Sequence, residues 1–240
     1  MNSNKTTPVV NQIENLVATI PGWSPNDQLF ALFNLVFLTR TEGEIIELGT
    51  WCGRSASVLG LAAKLLGHTK VYCVDLFPAG EDWFKNADGT YSFSVEVEGR
   101  RYGAYEDQTV WAEPFERDIA PLYEKYHGVL DVFLETIDKN ELKDVVIPFK
   151  GTLDMFAQQA PKDFKCKLAF VDGDHSYDAV CKDIANIERF LVPGGWICFD
   201  DAFSVYDGVN KAITDKIINS TQYDLCQQLT RKFFVARRKP

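Results

Sequence analysis

The sequence predicts an α/β protein in which helices cover both faces of a mostly parallel β-sheet. Short apolar runs alternate with longer helical patterns, and these runs lie at 44–48, 70–77, 144–149, 167–172 and 195–200. Strands that are apolar throughout are typical of parallel sheets buried between helices. Two further runs near the end of the sequence, QYDLCQQL and KFFVARR, flank Thr230 and Arg231. They predict an antiparallel hairpin that closes the sheet.

Two helices are expected before the sheet. The first covers residues 9–20, and the second begins after Pro25, which suits the start of a helix. The run EIIEL (44–48) then predicts the first strand, RSASVLGLAAKLL (54–66) a helix, and KVYCVDLF (70–77) the second strand. These three elements form a βαβ unit, and helical patterns separate the three later strands in the same way.

The alternation stops over residues 78–111, where the chain is rich in aromatic residues, charges and glycine. The segment SFSVEVEG alternates like an exposed pair of strands. Because this insertion leaves the sheet directly after the second strand, at the edge where α/β proteins bind ligands, we expect it to act as a substrate lid. Its aromatic side chains fit a stacking surface for a sugar, a satellite core or a dimer contact equally well; they are Trp83, Phe84, Tyr91, Phe93, Tyr102, Tyr105 and Trp111.

Length and composition favour one folded domain over residues 1–240, with N-terminal helices over 1–42. The formal net charge of −9 disfavours nucleic acid and membrane surfaces as partners, so we expect a small-molecule acceptor. The N-terminus lacks a signal-peptide pattern, and the longest apolar run, LFALFNLVFL, is too short to span a bilayer, which together favour a cytoplasmic location. The six cysteines lack a CxxC pair and are expected to be reduced thiols in or near the core.

A glycine-containing loop, Glu47-Leu-Gly49-Thr-Trp-Cys-Gly53-Arg-Ser55, follows the first strand and leads directly into a helix. Glycines here let the chain turn sharply and let a ligand approach the amides at the helix N-terminus. Dinucleotide dehydrogenases use G-x-G-x-x-G at this place, whereas three residues separate Gly49 from Gly53. Glu47 would repel a pyrophosphate but suits a cationic ligand that carries sulfonium and ammonium groups.

Asp75 ends the second strand, where a carboxylate can accept both hydroxyl groups of a ribose. The glycine pair alone is also compatible with a plain strand-to-helix turn. Glu47, Ser55 and Asp75 in register with the loop favour a site for an adenosyl ligand.

The segments ELGTWCGRS, VYCVDLF, FVDGDHSYD and LVPGGWICFDDAF together resemble class I S-adenosylmethionine-dependent methyltransferases of the catechol O-methyltransferase type. They resemble the bacterial macrolide-sugar O-methyltransferases more closely still. The resemblance implies a Rossmann-like class I methyltransferase fold with a mostly parallel seven-stranded sheet. It places the glycine loop against the methionine part of the donor, Ser55 near its carboxylate, Asp75 on its ribose and the Gly151 turn near its adenine. The implied donor contacts are Glu47, Gly49, Thr50, Trp51, Gly53, Ser55, Asp75, Leu76, Gly151, Thr152, Leu153 and Asp172.

Three carboxylates are expected to converge at the ends of two later strands. Asp172 follows the run KLAFV, and Asp200 and Asp201 follow GWICF. Carboxylates that meet in one cleft repel one another unless a cation or a proton relieves them, and oxygen ligands suit Mg²⁺, Mn²⁺ or Ca²⁺. Acids at these positions in metal-dependent members of the resembling family agree with a metal site. The alternative is that Asp172 caps a helix and the other two acids are solvated.

His175 is the expected catalytic base, with Asp172 as a second catalytic candidate. A histidine titrates near neutrality and accepts a proton from a hydroxyl, and a histidine at this place acts as the base in the resembling sugar methyltransferases. Asp174 also remains a candidate. The structural alternative is a histidine at a helix start that is bonded to Asp178 or to the backbone.

These features predict metal-assisted O-methylation of a small-molecule hydroxyl, on a sugar or vicinal diol of natural-product or surface-glycan biosynthesis. A nicotinamide-dependent oxidoreductase is one alternative, although its glycine pattern is lacking. A catalytically inactive donor-binding partner subunit is the other, and a homo-oligomer is compatible with each of these functions.

Overall fold

The computed structural model describes residues 8–103 and 109–240, in which seven strands form the main sheet. These strands are β1 (Glu44–Leu48), β2 (Val71–Asp75), β6 (Val146–Lys150), β7 (Cys166–Val171), β8 (Leu191–Phe199), β9 (Tyr223–Gln228) and β10 (Phe234–Arg238). Their spatial order is β6-β2-β1-β7-β8-β10-β9. The first five in this order are parallel, and β10 pairs antiparallel with both β8 and β9. The predicted mostly parallel sheet with a closing antiparallel hairpin is confirmed.

The order of the strands changes direction at β1. The chain first continues outward to β2 and β6, and then crosses to β7 and β8 on the other side. At such a switch point the two sets of loops part and leave a crevice. Leu48 lies beside both Val74 and Val171, and Val171 lies beside Phe199, so the carboxyl ends of four strands are level. The residues that follow β1, β2, β7 and β8 therefore all begin at one edge of the crevice.

Helices cover both faces of this sheet, as predicted. One face carries α1 (Val9–Val17), α2 (Asn26–Leu38), α3 (Arg54–Leu66) and α6 (Val129–Lys139), and the other carries α7 (Leu153–Gln159), α8 (Tyr177–Glu188) and α9 (Asp207–Ala212). A π-helical turn, Ile213–Ile218, continues α9. Ahead of α6, the chain runs through α4 (Ala112–Pro114), a π-helical turn (Phe115–Ile119) and α5 (Ala120–Lys125).

Two element boundaries differ from the sequence prediction. The first helix ends at Val17 rather than near residue 20, in a turn in which the amide of Ile20 donates to the carbonyl of Val17. Strand β8 begins at Leu191, before the predicted run 195–200. Cys166 pairs with Leu191 and Leu168 pairs with Trp196, so the intervening residues of β8 form a bulge.

The insertion after β2 forms a second, antiparallel sheet of β3 (Trp83–Lys85), β4 (Tyr91–Val97) and β5 (Arg100–Gly103). The predicted exposed strand pair thus corresponds to β4 within a three-stranded sheet. Val95 and Val97 pack against Met155 of α7, which seats the small sheet beside the carboxyl ends of β1 and β2. Residues 104–108 of the predicted insertion, including Tyr105, lie outside the described residues.

Several aromatic residues of the insertion form a satellite core, one of the three predicted roles. The ring of Trp83 lies 5.0 Å from that of Phe93 and 5.1 Å from that of Phe115, and Tyr91 stacks on Phe115 at 3.8 Å. Trp111, by contrast, is 71% exposed. It is therefore free to meet a ligand or a partner.

No helix in the described part of the chain is long and apolar enough to cross a membrane, and the run LFALFNLVFL lies within α2. All six cysteines are free thiols, and four of them are buried. The prediction of a near-core position is wrong for Cys226, because β9 is an edge strand whose side chains are largely exposed.

Candidate active site

A cavity of about 1160 Å³ opens at the carboxyl edge of the main sheet, between the loops that follow the strands and the inserted sheet. The predicted catalytic and metal-binding residues all line this cavity. So do the predicted donor contacts, with the exception of Glu47 and Gly53. The structure therefore brings these residues together around one cavity from five separate strand ends.

Gly49 is held against the neighbouring strand end by the geometry of the switch point. Its φ is +81°, and a Cβ built on it would lie 1.7 Å from the carbonyl oxygen of Asp172. Only glycine permits this approach. Gly53, with a φ of +88°, caps the N-terminus of α3 behind the cavity wall, where a Cβ would lie 3.0 Å from the ring of Phe133. The two glycines thus have distinct roles: one allows close strand packing and the other turns the chain into the helix.

Glu47 is fully buried behind the loop. Its Oε2 accepts hydrogen bonds from the Thr50 hydroxyl at 2.7 Å and from the Cys73 thiol at 3.3 Å. Its Oε1 lacks a hydrogen-bond partner within reach in the described chain, although Ser55 lies near enough to favour the ionised form. Burial raises the pKa of Glu47, and hydrogen bonding by Ser55, Thr50 and Cys73, which lowers it, offsets only part of this rise. Because Glu47 does not line the cavity, it would act on a cationic ligand only through the charge of its carboxylate and through its hydrogen bond with Thr50.

Asp75 connects the loops that follow β1 and β2. Its Oδ2 accepts the Trp51 amide at 2.9 Å, and its Oδ1 accepts the Phe77 amide at 2.6 Å. Burial raises the pKa of Asp75, while these amides favour the ionised form. A carboxylate offers about four lone-pair positions, so Asp75 can still accept a ribose hydroxyl group.

The predicted acidic residues meet at the ends of β7 and β8, together with a lysine. Asp172, His175 and Asp201 each offer a ligand atom, and these atoms lie within 4.8 Å of one another. Lys232 Nζ lies 3.0 Å from Oδ2 of Asp200 and 3.2 Å from Oδ1 of Asp201. The predicted metal set of Asp172, Asp200 and Asp201 therefore differs from this arrangement, in which His175 completes the group and Asp200 faces Lys232.

Burial and the neighbouring acids shift the proton affinities of this cluster in different directions. Burial, followed by Asp200 and Asp201, raises the pKa of Asp172 well above its usual range. Burial also raises the pKa of Asp200 against the effect of Lys232. The pKa of Asp201 is lowered, because His175 and Lys232 outweigh its burial. Burial disfavours the charge on Lys232, but the acids raise its pKa to about 12, so Lys232 remains a cation and is no proton acceptor at neutral pH.

Two contacts fix the orientation of the His175 imidazole. Its Nε2 lies 3.2 Å from Oδ2 of Asp201, so an N–H at that nitrogen donates to the carboxylate. The ring of Tyr206 stacks on it at 3.8 Å with an interplanar angle of 23°. Nδ1 is buried and has no partner among the described residues. The structure thus pairs His175 with Asp201 rather than with Asp178. Asp174 instead accepts the Ser176 amide at 2.6 Å, as in a helix-start turn.

Sequence reasoning missed Lys232, Tyr206 and the N-terminal wall of the cavity. The run KFFVARR predicts an arm of the closing hairpin, and this pattern assigns no role in the site to its first residue, Lys232. The missing signal is the register of the antiparallel strands β10 and β8, in which Phe234 pairs with Phe199. Two residues before Phe234 and two residues after Phe199, the same register brings Lys232 beside Asp201. At the other end, Arg54 donates to the carbonyls of the N-terminal segment and holds Trp23 at the cavity; the acceptors are Val17, Ile20 and Ser24.

Comparison with known proteins agrees with this geometry. A family described as a methyltransferase domain matches residues 46–202, which contain the glycine loop, Asp75 and the acidic cluster. The O-methyltransferase NovP is 16% identical, with 90% of this chain and 81% of that chain covered and a TM-score of 0.63. An O-methyltransferase from Bacillus cereus in complex with SAH is 14% identical, with coverages of 99% and 94% and a TM-score of 0.56.

CalS11, a TDP-rhamnose 3'-O-methyltransferase of calicheamicin biosynthesis, is 14% identical, with coverages of 97% and 95% and a TM-score of 0.52. At these identities the solved structures establish the common fold, and the family match covers more than half of the chain. The alternative of a nicotinamide-dependent oxidoreductase is thereby excluded. The chain belongs to the methyltransferase-domain family and is an S-adenosylmethionine-dependent methyltransferase.

Proposed function

We propose that this protein methylates a hydroxyl oxygen of a small polar molecule. The observation that carries the proposal is the position of the His175–Asp201 pair and Asp172 in the same cavity as the donor loop, beside the close contact between Gly49 and Asp172. A proton acceptor next to the donor is what a hydroxyl substrate requires, because its oxygen must lose a proton as it gains the methyl group.

The loops after β1, β2 and β6 supply the donor side of the cavity. S-adenosylmethionine, when bound, supplies a methyl group on a sulfonium that becomes a neutral thioether on transfer. Asp75 binds the ribose, Ser55 lies near the carboxylate of the methionine part, and the turn at Gly151 borders the adenine. A Cβ built on Gly151, whose φ is +154°, would lie 3.0 Å from the Phe149 ring and 3.2 Å from the Met155 sulfur, so this turn leaves little room for a side chain.

His175 is the proposed base, and Asp201 and Tyr206 orient it. With an N–H at Nε2 donated to Asp201, the lone pair is at Nδ1, the nitrogen that has no partner among the described residues. Asp172 is the second candidate, since it lines the cavity on the other side of the same cluster.

The cluster also fits a divalent cation. Two carboxylates and an imidazole within 4.8 Å suit Mn²⁺ or Mg²⁺, and Lys232 supplies only one positive charge against three acids. Asp172, His175 and Asp201 would hold the ion. A bound divalent ion would contribute Lewis-acid stabilisation of the acceptor oxygen. His175 and Asp172 would then serve as ligands, and Asp174, which also lines the cavity, would be better placed to take the proton.

A sugar hydroxyl or vicinal diol is the proposed acceptor. The cavity, at about 1160 Å³, exceeds what the donor alone fills, and polar side chains line its acceptor end beside Trp111 and Tyr206. CalS11, which shares the fold, acts on a nucleotide-linked sugar. The inserted sheet would cover this end as a lid that excludes water. A cytoplasmic location, where the donor is made, completes the proposal.

The test is transfer of a labelled methyl group from S-adenosylmethionine to a panel of sugars, nucleotide sugars and diols, with product analysis that identifies the methylated atom. His175→Ala should lower turnover by roughly 10²–10⁴-fold. The matched variant His175→Gln retains a donor for Asp201 but no base, and it should be equally impaired. Full turnover in His175→Gln would assign His175 to orienting Asp201 and would leave Asp172 as the base.

Excess EDTA tests the metal separately from the base. Loss of transfer with unchanged donor binding supports metal assistance, and full activity in EDTA removes the metal from the proposal. An absence of transfer to every acceptor of the panel, with intact donor binding, would reject the proposed sugar or diol acceptor.

A further inference from the structure

Lys232 reaches the acidic cluster from the turn before β10, opposite the strand ends that carry the acids. Its carbonyl accepts the amide of Ala202 at 2.9 Å, which fixes its backbone beside the end of β8. Its side chain is 20% exposed, and Nζ lies within 3.2 Å of both Asp200 and Asp201. The ammonium is thus a built part of the cluster rather than a mobile surface charge.

The four oxygens of Asp200 and Asp201 are already engaged. Oδ1 of Asp200 accepts the amide of Asp201 at 2.7 Å, and Oδ2 accepts Lys232. Asp201 contacts Lys232 through Oδ1 and His175 through Oδ2. Asp201 is therefore the residue common to the lysine contact and to the Asp172, His175 and Asp201 group.

Other cations near the cavity are occupied or distant from the acids. Among the described residues, Arg54 donates to main-chain carbonyls, and Lys182 pairs with Asp154. Arg100 and Arg101 are exposed on β5 of the inserted sheet. Lys232 thus provides the positive charge in direct contact with the cluster.

We propose that the Lys232 ammonium is the resting cation of this cluster and that a divalent ion binds there only in competition with it. Asp201 is the ligand for which the two cations compete. Lys232 thereby sets the affinity of the protein for metal, as a positioning residue rather than a catalytic one. The competition between the two cations takes place without donor or acceptor. Only the role of this competition in the reaction rests on the proposed metal assistance.

The test is a titration of the full-length protein with Mn²⁺, in which the free ion is counted by its EPR signal. Lys232→Met should bind Mn²⁺ about tenfold more tightly than the wild type, because contacting charges couple with energies of this order. Lys232→Gln, which keeps a hydrogen-bond donor but no charge, should show the same gain. Lys182→Met removes a positive charge from the same cavity away from the acids, and its affinity should stay within about twofold of the wild type.

A second readout is thermal unfolding in EDTA and in Mn²⁺. Without metal, Lys232→Met leaves the buried Asp200 without its cation and should unfold at a lower temperature than the wild type. Mn²⁺ should raise the unfolding temperature of this variant more than that of the wild type. Unchanged or weaker Mn²⁺ binding in both Lys232 variants, no binding at millimolar concentration, or an equal gain in Lys182→Met would overturn the inference.

These outcomes are separate from the fate of the proposed function. Tighter Mn²⁺ binding in Lys232→Met together with methyl transfer that is unaffected by EDTA would support the competition and reject metal assistance. Metal-dependent transfer, with no change in Mn²⁺ affinity in Lys232→Met, would support metal assistance and reject the competition.

Discussion

Replacing Gly49 by alanine tests the contact that joins the donor loop to the acidic cluster. The new Cβ would lie 1.7 Å from the carbonyl oxygen of Asp172 and 2.6 Å from its carbonyl carbon. Both atoms belong to main chain that is hydrogen-bonded to β1, since the amide of Asp172 donates to the carbonyl of Leu48 at 2.9 Å. The clash cannot be relieved by rotating a side chain, so the loop and the strand end must separate.

The chain offers a matched control for the size of this effect. Gly67 has a φ of +80°, almost the same as the +81° of Gly49, but a Cβ on Gly67 would meet nothing within 4 Å. Gly67→Ala should therefore cost only the strain of the left-handed conformation, about 1–2 kcal/mol. Gly49→Ala should add an overpacking cost of about 1–3 kcal/mol. The difference between the two variants isolates the close approach.

Urea titrations measure the free energies of unfolding of the two variants, which are compared at the same dependence on urea concentration. Calorimetric titration with S-adenosylhomocysteine measures the consequence for donor binding. Gly49→Ala should lose donor affinity together with stability, whereas Gly67→Ala, at the far end of α3, should keep the affinity of the wild type. Equal destabilisation of the two variants, or full donor affinity in Gly49→Ala, would refute the close contact as the element that shapes the donor loop.

Three further predictions concern the donor, a buried acid and the inserted sheet. Asp75→Ala should raise the dissociation constant for S-adenosylhomocysteine at least about tenfold, because a charge-assisted hydrogen bond contributes roughly 1.5–3 kcal/mol; an unchanged constant in calorimetry contradicts the ribose assignment. Burial, followed by Asp174, raises the pKa of Asp183 to about 7, so the native state keeps a proton that the unfolded chain releases near pH 4. The free energy of unfolding should fall as the pH rises through that window. Asp183→Asn should reduce the difference between the free energies of unfolding that urea titrations give at pH 5 and at pH 8. An unchanged difference would argue against the raised pKa. The amides of β4 and β5 should exchange hydrogen faster than those of β1 and slow when donor and acceptor are added, and equal protection without ligand would make the inserted sheet a fixed subdomain.

The sequence predicted the main sheet well because each strand carries its own signal. An apolar run such as EIIEL is buried on both faces whatever the rest of the chain does, and the order of helices and strands then restricts the topology. The bulge in β8 was not predictable in this way, since the glycines near Gly194 also suit a turn before the strand. The third strand of the insertion was missed because β3, at three residues, is too short to show a period.

The site was predicted where residues follow strand ends and missed where it depends on long-range register. Gly49 and Asp172 lie immediately after a strand and Asp75 ends one, so their meeting at one edge follows from parallel pairing alone. Lys232 arrives from the opposite direction, and its distance from Asp201 depends on how β10 pairs with β8. A shift of that register by one residue would turn the Lys232 side chain to the other face.

The two halves of the site differ in what holds them. The donor loop and the acidic cluster are joined through main-chain contacts at the switch point, because Gly49 packs on the carbonyl of Asp172. The distance between the proposed donor site and the proposed proton acceptor is therefore set by the main sheet, and substitutions on the surface cannot change it easily. The other end of the cavity is lined by residues of the inserted sheet and by exposed side chains such as Trp111, which the main sheet does not constrain. The fold, which is retained in proteins that share only 14–16% identity with this chain, therefore leaves the end of the cavity beside the inserted sheet as the part that is freer to vary.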